Sequence, residues 1–390
     1  MKILRVISSM HPKQGGPCQG IRNSIPELEK LGVKNEVVCL DETISDYGIK
    51  DPFPIHTLGS STTPWKYHKN LIPWLLSNFQ RFDVVIIHGL WTYHSHGTIK
   101  AILKYRKENT ISPKVYAMPH GMLDPYFQKA KERKLKALRN DVYWKLFENN
   151  VINKADGILF TCEEELLLAR TTFPNYKPQR EINVGYGIQA PPHYTDSMKK
   201  VLLEKVPEWN TKPFLIFLSR IHTKKGVDLL IKSYLKLEKE LNSLPQLIIA
   251  GPGLDEAYGK ELLKLASTSS NILFPGMLSG DAKWGAFYES EAFILPSHQE
   301  NFGIAVVEAL ACSKPVLISD KVNIWREITS ENGGFVQNDT EADTYTLLKQ
   351  WLALAPSEKS KMSENAQKVY ATKFTIAQGA KSLLAGLKTN

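Results

Sequence analysis

Residues 292–319 read AFILPSHQENFGIAVVEALACSKPVLIS. An apolar run, 292–296, enters an acidic loop. A Phe302-Gly303 turn then opens into an apolar helical stretch from Ile304 to Leu310, and a second apolar run follows at 315–319. Short apolar runs on either side of a helix predict strand, loop, helix, strand, the repeating unit of a parallel sheet. Glu300 stands at the mouth of the predicted helix and Glu308 one to two turns inside it. Two carboxylates so placed can do acid–base chemistry, or can hold a polyhydroxylated, phosphate-bearing ligand.

The same alternation runs through the chain. Strands are predicted over 3–8, 36–40, 83–88, 114–118, 157–161 and 182–184, and then over 214–219, 246–250, 272–274, 292–296, 315–319 and 334–336. Helical patterns lie between them, among them 227–241 and 257–266. Strands that are short, apolar throughout and separated by helices belong to parallel sheets covered on both faces. With 390 residues, two domains are expected. A polar stretch over 189–211 containing Pro191-Pro192 separates them. The fold class expected is therefore α/β, with two doubly wound, Rossmann-like domains facing a cleft. The predicted domains are 1–190 and 191–372, and a final helix broken near 372–374 carries 373–390 back onto the first domain.

Composition narrows the function. A 43% hydrophobic and 23% charged chain is that of an ordinary globular protein. No apolar run approaches the ~20 residues that span a bilayer. MKILRVISS, the N-terminal segment, has the pattern of a buried strand and not of a signal peptide. The four cysteines (Cys18, Cys39, Cys162, Cys312) have no paired spacing, which predicts free thiols and a cytoplasmic location. Residues 1–190 carry 26 Lys+Arg against 18 Asp+Glu, and the other 200 carry 23 against 22, so nearly all the +9 charge lies in the first half. Such a surface suits an anionic substrate or an anionic membrane. No helix-turn-helix, RNP motif or zinc spacing points to nucleic acid.

Four constellations fall at predicted strand ends, where open parallel sheets bind ligands. Arg220 and Lys225 flank a turn that leads into the Val227 helix. The turn places a bidentate and a point cation at a helix N-terminus, which suits a diphosphate, although a solvated basic loop has the same composition. Around Glu300, the backbone N–H groups of Asn301, Phe302, Gly303 and Ile304 can meet a phosphate or a sugar hydroxyl. Glu300 itself suits sugar hydroxyls, and Glu308 the vicinal hydroxyls of a ribose. His120, in MPHGMLDP, can donate to substrate or merely cap its own turn. Gly15-Gly16 permits close backbone approach to a ligand, or forms a plain loop. The basic stretch KAKERKLKALR (129–139) suits either an anionic membrane or a solvated helix face, and the second reading is preferred. Trp91, Tyr93 and His94 form either an acceptor platform or core. His88, His94 and His96 lack a completing carboxylate or thiol, so no metal site is expected.

In order and spacing these constellations resemble the retaining glycosyltransferases of family four, which have the GT-B fold. SRIHTKKGVDLLI (219–231) looks like that family's "GR…KG" segment, with Ser219 in place of Gly. The opening stretch looks like its "E-x7-E" segment. PHGMLDP is similar to variants in bacterial members that build surface polysaccharides. An Asn-Gly turn of the family is replaced by Gly185-Tyr186-Gly187. The resemblance is weak over 41–80.

The resemblance implies a retaining hexosyltransferase of polysaccharide or glycoconjugate biosynthesis. Its donor would be a UDP- or GDP-sugar, and its acceptor a glycan or lipid-linked glycan. No cofactor or metal would be required. His120, Arg220, Lys225 and Glu300 would be catalytic. Gly15, Gly16, Asn301, Phe302, Gly303, Ile304 and Glu308 would complete the donor site. The alternatives are a glycosyltransferase or phosphorylase acting on a small molecule, and a nucleotide-sugar-binding subunit without turnover. The expected location is cytoplasmic, and the charge of the first half also suits peripheral contact at the inner membrane face.

Overall fold

The computed structural model describes residues 1–42, 51–61, 63–130 and 133–388. The chain forms two compact units, one of Met1–Gly187 with the segment from Ile376 onward, the other of Ile188–Thr375. The first junction falls at 187/188 and the second at 375/376. The second lies beyond 372 because the helix Pro356–Val369 runs on through a π-helical turn, Tyr370–Phe374, before the last helix begins at Ile376.

Among the described residues the first unit holds seven strands: β1 (Lys2–Ile7), β2 (Lys34–Cys39), β3 (Ile55–Thr57), β4 (Val84–His88), β5 (Lys114–Met118), β6 (Gly157–Phe160) and β7 (Glu181–Asn183). They pair in the order β3-β2-β1-β4-β5-β6-β7, every pair parallel. The second unit holds β8 (Phe214–Leu218), β9 (Gln246–Ala250), β10 (Ile272–Gly276), β11 (Ala292–Leu295), β12 (Val316–Ser319) and β13 (Gly334–Gln337). Their order is β10-β9-β8-β11-β12-β13, again all parallel. Each sheet thus reverses its winding once, at β1/β4 and at β8/β11. Crossovers leave a switch point in opposite directions, which opens a crevice beyond the strand ends. The edge strand β3 escaped the sequence reading, since three residues with His56 at their centre show no apolar run.

Helices cover both faces of each sheet, so the strands are buried along almost their whole length. Ile3, Ile86, Tyr116 and Leu159 pack under the last helix through Ala380, Leu383 and Leu387. Burial of each such side chain stabilises by about 1.5–3 kcal/mol, and truncation of Ile86 to Ala would cost about 2–5 kcal/mol. The last helix belongs to the first unit: Gly379 lies against the backbone of Gly187, where a Cβ would come within 2.9 Å of its nitrogen. All four cysteines are buried and unbridged. Within the buried part of β1 one side chain breaks the apolar pattern. Arg5, in the middle of β1, is only 1% exposed.

Candidate functional site

In the second unit two loops are joined at the β8/β11 switch point. The 219–226 turn ends at Gly226, whose φ of +65° and close approach to the Pro296 carbonyl admit no side chain. His298 N–H and Ser297 Oγ–H both donate to the Lys224 carbonyl, at 2.8 and 3.0 Å. Lys225, 4% exposed, donates from Nζ to Glu300 Oε2. Lys225, predicted for the diphosphate, and Glu300, predicted for the sugar, are therefore in direct contact, and Lys225 is held by Glu300 rather than standing free. Glu300 is fixed on its other side as well. Its N–H donates to the Lys321 carbonyl at 2.8 Å, and its carbonyl accepts from Asn323 N–H at 2.9 Å.

Arg220 is exposed, and among the described residues no carboxylate pairs with it. Gly251 lets its loop pass close by: a Cβ there would lie 1.8 Å from the Ser219 carbonyl oxygen. Ile221 N–H donates to the Pro252 carbonyl at 2.8 Å. The approach is to the Ser219 backbone, so position 251 needs a glycine whichever side chain stands at 219.

The helix Ile304–Ala311 begins at Gly303, which adopts φ +73°. The amides that head it have no acceptor within the helix. Phe302 is buried and packs edge-on against Phe374, while Ile304 remains 42% exposed. Asn301 lies 3.5 Å, through Oδ1, from Nδ2 of Asn323. Glu308 is partly buried and accepts from Lys283 Nζ at 2.8 Å. Lys283 also lies over the Trp284 ring. A ligand hydroxyl at Glu308 would therefore meet a carboxylate already oriented by a cation.

In the first unit, the β1/β4 switch point carries the glycine pair and His120. Gly15 has φ +83°, and Gly16 starts the helix Gly16–Lys30. Tyr186 Oη–H donates to the Gly16 carbonyl at 2.9 Å. The tyrosine that replaces the family's asparagine thus anchors the glycine loop, and Gly20 leaves room for its ring. His120 and Gly121 have φ +54° and +80°. Glu165 holds that turn, accepting from Gly121 N–H at 2.5 Å and Thr161 N–H at 2.8 Å. His120 Nε2 lies 3.0 Å from His88 Nδ1, with the rings stacked. Burial and the Arg5 cation hold His120 well below the usual histidine range, at about 4. Burial, then Arg5, depress His88 as well.

His94 is core, with Nε2–H donating to the His88 carbonyl at 2.9 Å and Nδ1 2.7 Å from Thr92 Oγ1. Tyr93 is buried too, so of the three residues offered as an acceptor platform only Trp91 is partly exposed. Trp91 takes φ +71°, held by its N–H donating to Glu148 Oε1 at 3.0 Å.

Residues 199–369 match the family model described as glycosyl transferases group 1. The second unit belongs to the group 1 glycosyltransferases. An uncharacterised glycosyltransferase of Methanocaldococcus jannaschii is 28% identical over 120 residues, 31% of this chain and 30% of that protein. The alpha-D-kanosaminyltransferase of Streptomyces kanamyceticus is 23% identical over 176 residues, 45% of each. The chain therefore matches less than half the length of either relative. Among solved structures, Anabaena HepE in complex with UDP and glucose superposes with TM-score 0.71 at 16% identity, covering 99% of both chains. That likeness shows the fold, which is GT-B.

Several residues of these candidate sites were missed in the sequence. Lys283, Glu165, Glu148 and Gly251 act through contacts between distant segments and leave no local motif. Arg5 did leave a signal, since a cation inside the apolar strand KILRVI is out of pattern for a strand covered on both faces.

Proposed function

We propose that this protein is a retaining hexosyltransferase of polysaccharide or glycoconjugate biosynthesis. It takes a nucleotide-diphosphate sugar as donor and a glycan or lipid-linked glycan as acceptor. The observation that carries the reading is the join at β8/β11: exposed Arg220, buried Lys225 on Glu300, and the helix start at Gly303, all within a group 1 glycosyltransferase unit. Arg220 and Lys225 hold the diphosphate. Glu300 and the 302–304 amides hold the donor sugar, Glu308 holds the ribose, and Gly16 lets its loop approach the phosphate. His120 faces the donor sugar.

In the transfer, an acceptor hydroxyl oxygen bonds to the anomeric carbon as the bond from that carbon to the diphosphate oxygen breaks. The hydroxyl proton passes to the departing diphosphate. The transition state resembles an oxocarbenium ion, so catalysis consists of stabilising the anionic leaving group and orienting the acceptor. Cationic side chains and helix amides supply that field, and the proposed reaction requires no metal. A UDP- or GDP-sugar that fits will raise the melting temperature by mass action and will be slowly hydrolysed, and the product anomer read by NMR will match the donor's. Inversion at the anomeric carbon would overturn the stereochemical part. Binding without hydrolysis or transfer would leave only a nucleotide-sugar-binding role.

A lipid-linked acceptor is favoured by one surface. On the helix Lys134–Tyr143 and its π-helical extension Trp144–Glu148, Leu135 (85% exposed), Leu138, Val142 and Leu146 follow helical spacing and face solvent. Lys134, Lys136, Arg139 and Lys145 surround them, while Ala137, Asn140 and Trp144 point inward. Positions 131 and 132 of the basic stretch lie outside the described residues. Exposed apolar side chains ringed by cations support an amphipathic surface suited to anionic lipid over a solvated polar face. No helix among the described residues is long and apolar enough to cross a membrane. Sedimentation with phosphatidylglycerol vesicles should show binding that weakens with salt and falls in Leu135→Asp/Leu138→Asp. Absence of binding at low salt would refute the membrane contact.

A further inference from the structure

The geometry points to Arg5 and His88 as positioning residues that fix His120 in its Nδ1–H tautomer, making it a hydrogen-bond donor into the site. This inference rests on the proposed role of His120 toward the donor sugar, but the tautomer itself does not.

A guanidinium has only donors. Arg5 Nη1 lies 3.3 Å from His88 Nε2, so that nitrogen must accept. A neutral imidazole carries one proton, which in His88 is then on Nδ1. His88 Nδ1 faces His120 Nε2 at 3.0 Å. His120 Nε2 must accept, and the His120 proton is left on Nδ1. The opposite arrangement would force His88 Nε2–H to face an arginine N–H. A doubly protonated His88 would be a second buried cation beside Arg5, and burial with that cation disfavours it. Among the described residues no protein acceptor meets Nδ1–H of His120.

The arginine is built for this task. Its Nε–H donates to Asn35 Oδ1 at 3.2 Å, and Asn35 in turn donates to the Val33 carbonyl at 3.1 Å. No carboxylate pairs with it among the described residues, and its Nη2 is buried without a protein partner. A buried unpaired cation is costly, and apolar packing would be served better by a leucine or methionine. An arginine does what those cannot: it stays charged and donates only. The cavity that it lines is shared with His120, Tyr186, Pro17 and Gly379. The ring of His120 is aimed by a backbone in the left-handed region, locked from the far side by Glu165. Both the direction of the ring and the nitrogen carrying its proton are thereby specified.

The test is two-bond 15N–1H NMR of the histidine rings in the full chain at pH 7, without ligand. His88 and His120 should both show the Nδ1–H pattern. Arg5→Met should convert His120 to a tautomer mixture and lower kcat by about 10- to 100-fold. His88→Asn, whose amide can still donate to His120, should preserve the Nδ1–H signal that His88→Leu loses. An Nε2–H or doubly protonated His120 in the wild type would overturn the inference, and so would an unchanged tautomer in Arg5→Met. Should Arg5→Met fail to fold, the wild-type spectrum and the His88 pair still decide. A protein with the expected tautomers that transfers no sugar would refute the proposed function and leave this inference standing.

Discussion

At the β8/β11 switch point the buried cation, Lys225, meets a carboxylate, Glu300. At the β1/β4 switch point the buried cation, Arg5, meets an imidazole. Topology and strand order are alike, yet charge is handled differently. Where a carboxylate stands opposite, the cation is paired, and the pair can open to exchange partners with an anionic ligand. Where none does, the neighbours are held neutral and the cation acts by orienting hydrogen bonds. The second unit is arranged to meet charge, and the first to direct a donor.

The sharpest way to break this contrast is to remove Lys225. Lys225→Met keeps the buried stem and deletes Nζ, so kcat/KM for transfer should fall about 100- to 1,000-fold. Because Lys225 and Glu300 act as a pair, Lys225→Met/Glu300→Gln should be little worse than the single change. Steady-state kinetics with a verified donor decide it. A loss within about threefold would mean that Lys225 only anchors Glu300.

Glu148 extends the comparison, being a buried carboxyl in the first unit with no cation beside it. It is 0% exposed, and burial raises its pKa to about 8, against smaller opposing effects of Ser95 and Trp91. Ser95 Oγ–H is shared between the Thr92 carbonyl at 2.8 Å and Glu148 Oε1 at 3.0 Å. A carboxyl whose pKa is raised on folding stabilises fully below its unfolded value, and the stability is lost as pH rises toward the folded value. Wild type should therefore weaken relative to Glu148→Gln by on the order of 2–3 kcal/mol between about pH 5 and pH 7. Denaturant unfolding at each pH measures this, and parallel pH profiles would show that Glu148 is ionised throughout.

The fold was nearly all legible because a buried parallel strand has to be apolar along its length. Gln246–Ala250 and Lys114–Met118 could be read to the residue, whereas the edge strand Ile55–Thr57 could not, being too short to show a pattern. The site was legible where the chemistry is local: the Arg220–Lys225 turn and the Glu300–Glu308 spacing each sit in one segment. What joins them is not local. Lys283 on Glu308, Glu165 under Gly121 and Tyr186 on Gly16 are separated from their partners by 25, 44 and 170 positions. A single sequence records such pairs only as unremarkable residues. Tyr186 stands in the sequence only as a departure from the family's Asn-Gly turn, and it is the contact that holds the glycine loop.

That contact can be broken from the other side. A Cβ on Gly20 would lie 2.1 Å from Tyr186 Oη and 2.7 Å from two ring carbons. Gly20→Ala must push the ring aside and lose its bond to Gly16, costing about 1–3 kcal/mol. Gly20→Ala/Tyr186→Phe should recover only part of this, because the ring carbons still collide. Full recovery in thermal unfolding would assign the whole effect to the hydroxyl.

Gly16→Ala separates the ligand from the fold at the same place. Nothing lies within 4 Å of the Cβ it would add, and Gly16, unlike Gly15, has no left-handed backbone to strain. Its effect on stability should be within about 0.5 kcal/mol, and slightly favourable, because alanine loses less entropy than glycine in a helix. If the loop approaches the donor phosphate, the methyl group occupies that approach, and donor KM rises with little change in stability. Gly20→Ala disturbs the loop from within and Gly16→Ala only its outer face. A donor KM unchanged in Gly16→Ala, with the protein as stable as wild type, would leave the glycine pair as a structural turn and restrict the donor site of the first unit to His120.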